Sequence, residues 1–178
     1  MTEARVYEYF KMSDFYFTGS LRDYIEKMWT QNQISDSYFS RLVDLYAIAA
    51  VVGLRLHRRL PAESTEDPKK RTVQLTQIAT LHQTLIPIMK LVLLLDDSRG
   101  LNAEQRIASA FRNPESKEEY ESNMELFNSY VRGGVEFLYQ QLVLRTQDEI
   151  ADTHEDNRIN NILALLKNPL STNEGIQM

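Results

Sequence analysis

The chain contains no cysteine. That absence removes disulfide frameworks, thiolate-ligated zinc, iron–sulfur clusters and thiolate catalysis together, and it agrees with a reducing, cytoplasmic setting. Glycine and proline are sparse, at six and five residues among 178, which argues against a turn-rich sandwich or barrel and for long helices with few connections. Neither sign of charge dominates: 20 Lys and Arg stand against 25 Asp and Glu, for a formal net charge of −5. Long apolar runs are missing too. The two longest, Tyr46–Leu54 and Leu85–Leu95, end at Arg55 and His57 and at Asp96 and Asp97, and the second also holds Pro87 and Lys90. Neither reaches the ~20 residues of a bilayer span. The first ten residues carry charges throughout and do not read as a secretory signal. No Asn-x-Ser/Thr acceptor occurs, which also agrees with an intracellular protein.

What is present is helical periodicity. Leu21, Tyr24, Ile25, Met28 and Trp29 fall at i, i+3, i+4, i+7 and i+8 after Ser20, the stripe of an amphipathic helix with Ser20 as its N-cap. A second helix is expected from Ser35 or Ser37 to about Arg59, and a third from about Thr72 to Asp96, kinked near Pro87. Their apolar stretches leave little polar face, so both are central helices that others must cover. Asn102-x-x-Gln105 and Ser116-x-x-Glu119 read as capping boxes that open a short helix and the last long one. Within that last helix, Gly133-Gly134 predicts a break or a close helix crossing, because two glycines weaken helix propensity by about 2 kcal/mol. The aromatic block from Tyr7 to Phe17 reads as a short helix and a packed connector.

The organisation expected is all-α: a bundle of about four long helices with short helices at both ends. Residues 1–145 form the bundle domain, 146–158 an acidic linker, 159–167 a short amphipathic helix and 168–178 a flexible tail. No repeat of 20 to 50 residues, the mark of a solenoid, is found.

Reaction chemistry is hard to find. The three histidines, His57, His82 and His154, lie in separate segments without zinc or di-iron spacing. The oxygen-rich run from Asp96 to Glu104 fails as a calcium loop, since the glycine and bidentate glutamate positions hold Leu101 and Ile107. Nucleotide-binding and nucleophile-elbow motifs are absent. The expectation is a protein without catalytic residues, metal or other cofactor, and no small-molecule substrate is inferred.

Two features remain. One is segregated charge: Arg55, Arg58, Arg59, Lys69, Lys70 and Arg71 flank one polar loop, while Glu115, Glu118, Glu119, Glu121 and Glu125 crowd one helix start. Six cations near one another can neutralise phosphates, so a nucleic-acid-associated subunit is one expectation. Glu63, Glu66 and Asp67 in the same loop, and an overall pI near 5.3, oppose it. The other is amphipathic surface beyond what four helices bury: the C-terminal stripe of Ile159, Ile162, Leu163, Leu165 and Leu166, and the aromatics around Tyr7 and Phe10. This favours a cytoplasmic protein-interaction or assembly protein, a homo-oligomer or small subunit of a larger complex. Ile159, Ile162, Leu163, Leu166, Tyr7 and Phe10 are its expected interface, facing the same chain or another protein, with no membrane contact.

Overall fold

The computed structural model describes residues 7–29, 37–63, 69–144 and 157–167. Among them the fold is an all-α helical bundle of seven helices with one short strand pair. The helices are α1 (Gly19–Met28), α2 (Leu42–Arg55), α3 (Leu75–Thr80), α4 (His82–Leu95), α5 (Ala103–Phe111), α6 (Lys117–Leu142) and α7 (Asn157–Lys167). The acidic linker, apart from residues 157 and 158, and the expected tail lie outside the described residues, as does His154.

α2 and α6 form the centre. α2 has ten buried residues of fourteen, and only a narrow strip through Ile48, Val51 and Arg55 is exposed. Such a helix is stable only when neighbours cover it, and α6 supplies the largest cover. The two backbones meet at glycine: a Cβ on Gly134 would lie 1.9 Å from the Ala49 carbonyl oxygen, and one on Gly53 2.0 Å from that of Tyr130. Gly133 is equally crowded by Arg58. The paired glycines therefore mark a close crossing and not a break, and α6 continues through them. α1 packs on α6, and α5 packs on α4.

Four expectations need correction. Phe15–Phe17 is a strand, β1, paired antiparallel with Arg71–Val73, β2, so that Phe15 faces Val73 and Phe17 faces Arg71. Phe15 and Phe17 point inward and Tyr16 outward, the period of two that aromatic runs accept in a pleated ribbon. The helix expected from Thr72 consequently starts at Leu75, and it breaks at Leu81 instead of near Pro87. The fresh start at His82 leaves Pro87 little more than one turn in, and Gln83, whose carbonyl it leaves unpaired within the helix, is exposed to water. Helix α2, Leu42–Arg55, is shorter at both ends than the helix expected from Ser35 or Ser37 to about Arg59. His57 adopts φ 51°, and the amides of His57 and Arg58 donate to the carbonyls of Leu54 and Gly53, a Schellman ending with histidine in the place of glycine. At α1, Thr18 occupies the N-cap. Ser20 lies inside the first turn, where its amide and hydroxyl both donate to Glu63, at 3.0 and 2.5 Å. A carboxylate from a distant loop thus serves the helix's free N–H groups.

The Asn102–Gln105 capping box is complete. Ser116 accepts from the Glu119 amide as expected, whereas the Glu119 carboxylate accepts from the Glu115 amide. Past α4 the supposed calcium loop is a turn built on one buried carboxylate. Asp96 accepts from the Tyr130 and Ser98 hydroxyls at 2.7 Å each and faces Arg59 at 3.5 Å, which ties α4 to α6. No helix among the described residues is long and apolar enough to cross a membrane.

Candidate interaction surface

Helix α7 is mounted on the bundle by its less apolar side. Asn161 is 7% exposed, and its amide donates to the Leu142 carbonyl at 2.8 Å. That carbonyl closes the last turn of α6, where intrahelical donors run out. The Tyr38 hydroxyl reaches the same oxygen at 2.5 Å, so two side chains from distant segments finish the end of α6. Leu165, one turn beyond Asn161, packs against the core.

The opposite side faces solvent and is apolar. Ile159 is 58% exposed and Leu166 72%, with Ile162 and Leu163 also open. These four fall at i, i+3, i+4 and i+7, a single stripe on α7. An amphipathic helix normally turns such a stripe inward, and here it turns outward. Of the five apolar residues expected to act together, Leu165 alone faces the core. Asn161 was the residue that sequence reasoning missed. Its signal was an asparagine one turn before Leu165, on the side of the helix away from Ile159 and Leu166.

The N-terminal aromatics behave differently. Phe10 is 2% exposed, with its ring edge-on to Phe127 at 5.0 Å, so it is a core residue and not an interface residue. Burial is the physical reason. Phe10 turns the chain with φ 63°, and its side chain packs against Phe127 of α6. Tyr7 is half-buried against Tyr120, 6.1 Å between ring centres.

Of the six expected cations, Arg58, Arg59, Lys70 and Arg71 have partners within the chain. Arg58 lies along the C-terminal half of α6, 3.6 Å from Glu136 and donating to Gln140 at 3.2 Å. Arg59 donates to Ser98 at 2.6 Å and stands over the Tyr130 ring. Arg71 pairs with Glu26 of α1 at 2.7 Å, and Lys70 sits 3.9 Å from the centre of the Tyr16 ring. Arg55 is exposed at the end of α2, and Lys69 is exposed just ahead of β2. The acidic group at the start of α6 is engaged as well. Arg112 bridges Glu115 and Glu119 at 2.5 and 2.8 Å, Lys117 faces Glu121 at 3.4 Å, and Glu125 pairs with the buried Arg132. The free N–H groups at the start of α6 and the Ser116 hydroxyl hold the Glu118 carboxyl below its ordinary range. The segregated charges seen in sequence are thus largely spent inside the chain.

Burial pushes the phenols of Tyr46 and Tyr130 far above their ordinary value, and the nearby Asp96 carboxylate adds to the shift at Tyr130. Both stay protonated and act as hydrogen-bond donors. Among the described residues no cluster of three His, Cys, Asp or Glu could hold a metal ion. Comparison with protein-family models, curated proteins and solved structures finds no match for the chain.

Proposed function

We propose that this is a non-enzymatic assembly protein of the cytoplasm, and that it works by docking the outward stripe of α7 onto a second copy of itself. The observation that carries this reading is the mounting of α7. Its polar Asn161 is used on the bundle, while Ile159, Ile162, Leu163 and Leu166 are left in water. Large exposed apolar side chains grouped on one helix face mark an interaction site more often than a solvated surface.

Charge favours a like partner. The sequence ahead of α7 is acidic, with Asp148, Glu149, Asp152, Glu155 and Asp156, and its last helical residue is Lys167. In two α7 helices laid antiparallel about a two-fold axis the same four apolar residues meet themselves, and each Lys167 lies at the amino end of the other helix, which follows the acidic segment in the sequence. The helix is about 16 Å long, so the stripe is smaller than the ~800 Å² per partner of a standard interface. It serves as the apolar centre of a modest, concentration-dependent dimer.

Light scattering coupled to size-exclusion chromatography tests this on the full chain. A dimer that becomes a monomer in the Ile162→Asp, Leu166→Asp double variant, with unchanged circular dichroism, is the expected result. A monomer at all concentrations, or a dimer indifferent to the double variant, removes the reading. The engagement of Arg58, Arg59, Lys70 and Arg71 by partners within the chain gives the nucleic-acid alternative less support than it had in the sequence.

A further inference from the structure

A second feature lies at the other end of α6, away from α7. A cleft of about 320 Å³ opens between residues 7–15 and the first half of α6. Its size falls at the lower end of the ~300–1,000 Å³ typical of small-molecule sites. Phe10, Phe15 and Tyr120 give it aromatic walls, and Met12 and Met124 add flexible, polarisable ones. At the base Tyr46 is fully buried, and its hydroxyl donates to the Asn128 side-chain oxygen Oδ1 at 2.9 Å.

Charge around the cleft is unequal. Lys117, Glu121, Glu125 and Asp14 all line it. Lys117 faces Glu121, and Glu125 is held by Arg132. Asp14 accepts from the Leu75 amide at 2.7 Å and from the Tyr16 hydroxyl at 3.3 Å, and it has no ion-pair partner among the described residues. A carboxylate without an ion-pair partner and aromatic rings lining the same cleft are the combination that binds an organic ammonium: Coulomb attraction acts from the one and ring quadrupoles from the others. The inner wall is also conformationally unusual. Phe10 holds φ 63°, a left-handed backbone that a bulky side chain adopts only when its surroundings over-determine it. Such residues concentrate where a fold shapes a ligand site.

We propose that this cleft binds a small aromatic amine, its ring between Tyr120 and the two methionines and its ammonium at Asp14. The reading is independent of self-assembly through α7.

Tryptamine is the probe, with indole-3-acetate as the same ring carrying the opposite charge, each titrated into the full chain by calorimetry and ligand-observed NMR. Tryptamine is expected to saturate one site at roughly tenfold lower concentration than indole-3-acetate needs. Met124→Trp, which fills the cleft from a half-buried position, is expected to abolish binding. Asp14→Asn, which keeps an oxygen for the Leu75 amide, is expected to remove the preference for the amine. Circular dichroism on each variant confirms that it is folded. Failure of tryptamine to saturate at millimolar concentration, equal binding of indole-3-acetate, or retention of binding by folded Met124→Trp would each overturn the proposal.

Discussion

Along its first half α6 is wrapped by aromatic side chains from distant parts of the chain, whereas at its carboxyl end α7 is docked by one hydrogen bond to the Leu142 carbonyl and by the packing of Leu165 on the core. In the first half Phe10, Tyr46 and Phe127 form a continuous cluster, with ring centres 5.0 and 5.7 Å apart, and Tyr9 stacks on Tyr120 at 5.9 Å. At the other end, one amide and one phenol share a terminal oxygen, and most of the apolar surface of α7 is left outside. Burying a large apolar side chain contributes about 1.5–3 kcal/mol, and a typical hydrogen bond only about 1. The first arrangement holds the fold together. The second holds a helix in place at small energetic cost, as the proposed docking of α7 onto a second copy requires.

Substitutions at the two ends should separate stability from the proposed assembly. Phe10→Ala should have the largest effect, lowering unfolding free energy by about 3–5 kcal/mol in urea titration while leaving any dimer contact untouched. Gly134→Ala comes next, at about 3 kcal/mol, because the added methyl meets the Ala49 backbone at 1.9 Å and no side chain can yield. Thermal melting reads it, and an unchanged melting temperature would mean that the two backbones are farther apart than described.

Alkaline pH probes the same half. Burial raises the phenols of Tyr9, Tyr46 and Tyr120 above their ordinary value. Their contribution to stability is complete below the unfolded value of about 10. As pH rises past that point the unfolded chain releases phenolic protons that the folded chain retains, so stability falls, by up to about 1.4 kcal/mol per pH unit for Tyr46 alone. Urea midpoints measured at pH 9, 10 and 11 should decline in that order, and a flat series would contradict the burial of Tyr46.

Asn161→Ala should cost about 1 kcal/mol, visible as faster hydrogen exchange in α7 and not as a lower global midpoint. Smallest in stability, within about 0.5 kcal/mol, is Ile162→Asp on the exposed stripe. Its effect should appear in the molar mass of the assembly.

The sequence carried the helices well where spacing and caps agreed. The stripe from Leu21 to Met28, the Asn102–Gln105 box and the close crossing at Gly133-Gly134 are all found in the fold. It misled where a long-range pair decides local conformation. Nothing near Phe15 announces that Val73 will lie beside it, and without that partner an aromatic run fits a helix as readily as a strand. Charge misled for a related reason. Arg58, Arg59 and Arg71 look like one basic loop along the chain, yet each finds a carboxylate on a different helix or at its end. The stripe on α7 was legible as amphipathic, but its direction was not, since only the docking of Asn161 on Leu142 decides which side faces out. The cleft beside Phe10 had no trace at all in the sequence, because its lining comes from residues 7–15, Tyr46, Ile78 and α6.

The near-complete burial of α2 has a consequence for synthesis. Its main cover, α6, begins 62 residues after α2 ends, since Arg55 closes one helix and Lys117 opens the other. A ribosome adding about 5–20 residues per second leaves the nascent chain roughly 5 to 20 s with α2 made and α6 incomplete. Throughout that interval the groove at Ala49 and Gly53 has no backbone to receive. Holdase chaperones should recognise the growing chain at α2, and release it once residue 142 has left the exit tunnel.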